Sequence, residues 1–184
     1  PGRQLALWAS APSTGALARI IVCINDELQR LDVPLHLNHL MSLEDITALD
    51  TQVVVIATGA LDACRSFAGD GSIRIISAHE LLCGTPVNTA KALVLNEGRG
   101  QAGLAASEML LHQGIATEIV TSDIAVAADL DPTNRAAWYQ RLGERDCRFT
   151  AAHVVESVNA DAVVLRNVFD DRLSERKGID LIVD

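Results

Sequence analysis

Aromatic side chains are scarce in this sequence, with three Phe, two Trp and one Tyr in 184 residues. A core must therefore come from Val, Ile, Leu and Ala. With 49% hydrophobic residues, that is the composition of buried parallel strands under alanine-rich helices. Positive charge is also short. Fifteen Lys and Arg against 24 Asp and Glu leave a net charge of −9, which disfavours nucleic acid and anionic membranes as partners. A phosphate ligand stays open, because backbone N–H groups at a helix start bind phosphate with few lysines. No apolar run approaches the roughly 20 residues that span a bilayer, and no basic segment leads into a signal-type apolar stretch. The cysteines, Cys23, Cys64, Cys83 and Cys147, form no CxxC and fit neither a zinc site nor a redox pair. They read as reduced thiols of a cytoplasmic protein. No serine sits in a GxSxG elbow.

What is present is a regular alternation of helix and strand signals. Leu17, Ile20, Ile21, Ile24, Leu28 and Leu31 recur at three-four spacing, predicting a helix over 13–31 that Ser13 or Thr14 caps. "PLHLN" (34–38) reads as a short strand, on which His36 and His39 would face opposite ways. "SLED" (42–45) has capping-box form and opens a short helix. "TQVVVIATGA" (51–60) reads as a central parallel strand covered on both faces. A strand and a helical turn over 72–84 end at Gly84. Pro86 then marks the boundary between residues 1–84 and 85–184.

The second half restarts the pattern. "KALVLN" (91–96) is a strand, 100–113 a helix with Leu104, Met109 and Leu110 inward, and Gly114 takes the position after its end. "ATEIVTSD" (116–123) is the next strand, and Asp131 with Pro132 starts a helix over 131–143. Segments 147–158, 161–169 and 178–184 read as a small meander, with 170–178 as a charged hairpin tip. The fold class is α/β: Rossmann-like parallel sheets, flanking helices and an antiparallel meander.

Gly98, Gly100 and Gly103 have GxGxxG spacing between a strand and a helix. The first two would allow a tight turn and close approach of a diphosphate, and the third close helix–strand packing. Arg99 lies within the turn, and the position for a ribose contact falls at Thr121. Asp123 comes slightly late, Glu118 lies inside the strand, and Glu97 would oppose a phosphate.

Taken in order, the segments carry a resemblance. "GRQLALWASAPSTGALARIIVCINDELQRLDVPLHLN" (2–38), "VVVIATGA" (53–60), "SAHELLCG" (77–84) and "LDPTNRAAWYQRL" (130–142) are similar to the C-terminal part of a flavoprotein family. That family is the iron–sulfur flavoproteins of trimethylamine dehydrogenase, histamine dehydrogenase and 2,4-dienoyl-CoA reductase, relatives of old yellow enzyme. The resemblance implies a partial FAD- or ADP-binding domain over 1–84 and an NAD(P)-binding-like domain over 85–184. It places Thr58 and Gly59 near FAD or ADP, and Gly98, Arg99, Gly100 and Gly103 at the second nucleotide turn. FMN, a 4Fe–4S cluster and the catalytic residues would belong to an upstream barrel of the same polypeptide. The expected ligand is NAD(P)H or ADP/FAD, with no metal and no catalytic residue in this piece, and the assembly admits a homo-oligomer. The alternatives are a vestigial Rossmann scaffold for interdomain or subunit contacts and a stand-alone sensor.

Overall fold

The computed structural model describes residues 3–59, 65–70, 72–97 and 101–184. Helix α1 (Arg3–Trp8), a 3-10 turn, α2 (Ala18–Arg30) and α3 (Leu43–Ala48) come first. Then come β1 (Ala68–Gly69), β2 (Arg74–Ile76), α4 (Ala78–Leu82), β3 (Lys91–Leu95), α5 (Ala102–His112), β4 (Ala116–Val120) and α6 (Pro132–Gly143). The chain ends with β5 (Arg148–Thr150), β6 (His153–Val158), β7 (Ala162–Asn167), β8 (Leu173–Lys177) and β9 (Leu181–Val183).

Five strands form a parallel sheet in the order β2-β9-β3-β4-β5. Alternation along β3 sorts the core. Ala92 and Val94 join a cluster with Leu104, Leu110, Trp138 and Leu142 of the helices. Leu93 and Leu95 join Val158, Val163 and Leu165 of the meander. The sheet is thus covered by α4, α5 and α6 on one face and by the four-stranded sheet β1-β6-β7-β8 on the other. Cover on both faces is why its strands are continuous apolar runs.

The helix signals hold locally. Ser42 and Asp45 form the reciprocal capping box at α3. Asp131 accepts from the N–H groups of Thr133 and Asn134 at α6, and Gly114 comes just after α5 with φ +78°. A second capping box, Ser77 with Glu80, opens α4. The caps read for the helix over 13–31 do not form. Ser13 donates instead to Glu108, and the Thr14 hydroxyl to the carbonyl of Ala11.

Two strand readings give way. Residues 34–38 and 51–59 are irregular and belong to no ladder, since no strand of the described residues runs beside them. Residues 173–177, read as a charged hairpin tip, form β8 instead. There exposure alternates along the strand, so Arg176 turns inward while Glu175 and Lys177 stay in water. The meander is consequently β6-β7-β8, and 181–183 joins the parallel sheet between β2 and β3. Residues 72–84 pack with the second half of the chain, β2 on β9 and α4 against α5.

From residue 4 to residue 59, Ala11 alone is buried among the described residues. Residues 7–14 fasten onto the second half. Leu7 packs against the helix-side core, Ser10 Oγ lies 3.1 Å from the carbonyl of Leu82, and Ser13 holds Glu108. Beyond Leu17 the chain presents its apolar stripe to water. No helix among the described residues is long and apolar enough to cross a membrane.

Candidate functional site

In an open parallel sheet, ligands bind outside the carboxyl ends of the strands, where the strand order reverses. Here the chain leaves β3 for β4 and β5 on one side and returns as β9 on the other. The reversal lies between β3 and β9, which pair through Val94 and Val183. The residues just past those strands are Asn96, Glu97 and Asp184, and past β4 comes Thr121.

Gly103 lies in the first turn of α5 and is buried. A Cβ there would stand 3.2 Å from the Leu95 carbonyl oxygen and 3.2 Å from the Asn96 side-chain nitrogen. A methyl at 103 would therefore crowd the end of β3 and push its neighbours by a few tenths of an ångström, the packing role read for the third glycine. Asn96 continues the fit. Its Oδ1 accepts from the N–H of Ala127, a residue with φ +56°, at 3.0 Å. The start of α5 has no side-chain cap and no acid in its first turn. Gln101 just before it accepts from the Trp138 indole at 3.1 Å.

Thr121 is fully buried, and its hydroxyl oxygen accepts from the N–H of Asp123 at 3.2 Å. Its backbone bridges the two sheets, donating to Thr150 at 3.1 Å and accepting from His153 at 2.9 Å. Gly103 and Thr121 thus sit at the carboxyl ends of neighbouring strands. Thr58 and Gly59 belong to neither sheet and lie in the exposed irregular segment, Gly59 with φ +73°. Gly98, Arg99 and Gly100 lie outside the described residues.

Arg65 and Asp184, two charged groups at this edge, were not singled out from the sequence. Glu97, expected to oppose a phosphate, forms an ion pair with Arg65. The Arg65 N–H donates to Asp184 Oδ2 at 2.8 Å, and its Nε lies 3.6 Å from Asp184 Oδ1. Burial works against the Arg65 charge, but the hydrogen bond to Glu97 and the charges of Glu97 and Asp184 outweigh it and raise its pKa. The only hint in sequence is that β3 and β9 both end in an acid, "LNE" and "IVD". The arginine lies 119 residues from Asp184, beyond any local pattern.

Behind the edge, Glu118 points at the meander. It is 3% exposed and accepts from Arg176 Nε at 2.8 Å and from the Thr150 hydroxyl at 2.7 Å. It is a strut between the sheets, with no path to a ribose. Burial first, and then the Glu118 charge, push the Cys147 thiol up to about 12.

Other sequence candidates lie elsewhere. His36 and His39 line one cleft of about 530 Å³ with Leu35, Leu37 and Met41, because 34–38 is not a strand that would part them. No group of three or more potential metal ligands occurs among the described residues. Trp138 and Tyr139 pack inward, Tyr139 stacked on Phe149 with ring centres 4.5 Å apart.

No family model matches the chain. It is 28% identical over 158 residues to a probable N-methylproline demethylase of Rhizobium meliloti (strain 1021), covering 86% of this chain and 23% of that protein. It is 28% identical over 193 residues to an N,N-dimethylglycine/sarcosine dehydrogenase of Chromohalobacter salexigens, covering 100% of this chain and 28% of that protein. The chain therefore spans about a quarter of the length of these relatives. Among solved structures it superposes on a 2-naphthoyl-CoA reductase with TM-score 0.80 at 17% identity, over 98% of this chain and 27% of that one. On histamine dehydrogenase from Rhizobium sp. 4-9 the TM-score is 0.71 at 16% identity, over 98% of this chain and 30% of that one. The chain has the α/β fold found in those segments, with parallel sheets flanked by helices.

Proposed function

We propose that this chain is the nucleotide-binding region of a longer NADH:flavin oxidoreductase-like protein, and that it binds or positions NAD(P)H or ADP/FAD. The observation that carries the reading is the closeness of α5 to β3 at Gly103, beside the point where the strand order reverses. Close helix–strand packing brings the start of α5 to the end of β3, and a helix start without a side-chain cap leaves N–H groups that suit a diphosphate, so the residues present fit such a group. When bound, a nicotinamide nucleotide supplies a hydride for a flavin. The chain's own part is to hold phosphate at the start of α5 and keep the carboxyl edge in register. Gly98, Arg99 and Gly100 would line the turn, and Thr121 would serve indirectly by fixing the end of β4 against β5 and β6.

The demethylase, dehydrogenase and reductase named above support a redox setting for the full-length protein. FMN, a 4Fe–4S cluster and catalysis would belong to an upstream barrel of the same polypeptide. The exposed apolar segment 53–56 and the stripe of α2 are where the rest of that polypeptide would seat, with Thr58 and Gly59 near FAD or ADP. We further propose the division at 84/85 as a boundary of function, the first part facing FAD or ADP and the second NAD(P).

A second reading, a scaffold that no longer takes nucleotide, is favoured by the two carboxylates, Glu97 and Asp184, at the same edge. Titration separates the two. With NADH, NADPH or ADP at about 100 times Kd, a bound ligand adds about 2.7 kcal/mol and raises the melting temperature. No rise at millimolar concentrations of all three overturns the binding reading and leaves the scaffold.

A further inference from the structure

We propose that Arg65 is the phosphate contact of the carboxyl edge, a guanidinium held by Glu97 and Asp184 with its remaining donors turned outward to an anionic ligand. This rests on the nucleotide reading of the same edge and adds a residue that lies outside the glycine turn.

The geometry separates an anchored backbone from an outward head. The Arg65 main chain is held at Asp184 Oδ2, and Asp184 is itself fixed between the strands. Its carbonyl accepts from Ala78 at 2.7 Å and its N–H donates to Ile76 at 2.9 Å. Three residues on, Ala68 and Gly69 pair in parallel with Ser157 and Val158 of β6. Gly69 is needed there, because a Cβ would fall 1.7 Å from the Val158 carbonyl oxygen. The segment carrying Arg65 is therefore fastened at residue 65 and again at 68–69 without help from the guanidinium.

The Arg65 side chain is the most exposed of the three. The side chains of Glu97 and Asp184 are 15% and 10% exposed, that of Arg65 43%. A guanidinium has five N–H donors in a fixed fork. Glu97 engages Nη1, while Asp184 stands 3.6 Å from Nε, an ion pair too long for a hydrogen bond. Donors remain for a second anion, and paired phosphate oxygens match the fork. The carboxylates fix the direction of the head, so little ordering is left when the ligand arrives. Without Arg65, two carboxylates would face the phosphate alone.

The test is calorimetric titration of the full chain with ADP, inorganic pyrophosphate and adenosine, for the wild type, Arg65→Met and Arg65→Lys. The expected result is that Arg65→Met weakens ADP and pyrophosphate by about tenfold or more and leaves adenosine unchanged. Arg65→Lys should lie between, because a point charge cannot make the fork. A structural role would move all three ligands together and overturn the proposal. Wild-type affinity for ADP in Arg65→Met overturns it while the nucleotide reading stands. No binding of ADP or pyrophosphate by the wild type overturns the proposal, and the nucleotide reading falls with it only where NADH and NADPH also leave the melting temperature unchanged. Should Arg65→Met fail to fold, an unchanged pyrophosphate Kd in Arg65→Lys overturns it.

Discussion

Residues 53–56, Val-Val-Val-Ile, and residues 92–95, Ala-Leu-Val-Leu, are nearly the same peptide in opposite surroundings. The first is 77, 52, 82 and 81% exposed, the second 0, 0, 0 and 5%. β3 has β4 and β9 on its edges, helices on one face and the meander on the other. Residues 53–56 have no strand neighbour and no cover among the described residues. The helices repeat the contrast. α2 carries a clean apolar stripe and buries nothing, whereas α5, apolar nearly all round, buries eight residues. A hydrophobic pattern states a requirement for a neighbour, and only the neighbour turns it into burial.

The sharpest way to break this comparison is a pair of truncations. Leu93→Ala should cost about 3–5 kcal/mol, through lost transfer energy and a cavity between sheet and meander. Val55→Ala should stay within about 0.5 kcal/mol. Urea unfolding of both variants checks the contrast, and equal losses would show that segment 53–56 is covered in solution.

Charge pairs should divide the same way. Glu118→Ala leaves Arg176, 12% exposed, without its partner, and should cost about 3 kcal/mol by the same measurement. The exposed pair of Glu27 with Arg30 on α2 should give no measurable loss when Glu27 is replaced by Gln.

Gly103→Ala tests the approach of α5 to β3. Alanine adds helix propensity of up to about 1 kcal/mol, but its methyl must displace a central-strand carbonyl or the Asn96 amide. Crowding wins, and a net loss of about 1 kcal/mol is expected in a thermal melt, with a larger loss for Gly103→Val.

The smallest effect is chemical. Cys147, its pKa pushed up to about 12, should resist iodoacetamide at pH 8, while exposed Cys23 and Cys83 react. Peptide mass spectrometry before and after urea reads this directly. The unfolded thiol ionises near 9.0 and the folded one near 12, so the folded state holds the extra proton and stability falls as pH rises between those values.

Legibility from sequence tracked the range of each interaction. Asp131 with Pro132, Ser42 with Asp45 and Gly114 act within one helical turn, and each stands where its pattern put it. Gly103 was readable because strand, turn and helix are contiguous. The strand read over 51–60 forms no ladder over its described residues 51–59, because a ladder needs a second strand, which no local pattern reports. β8 reads as a solvated tip because three charged residues in a row suit water, and only the tertiary fold reveals that Arg176 has Glu118 to meet.

By itself, then, the sequence determined the ends of α3 and α6 that their caps mark, the α/β composition and the glycine spacing after β3, because these depend on backbone geometry and neighbours a few residues apart. The tertiary structure alone decided that Arg65 meets Glu97 and Asp184, that β9 lies beside β3, and which of two alike apolar runs lies in the core. Those outcomes depend on chain segments brought together from far apart, and a side chain's surroundings are a property of the packing around it.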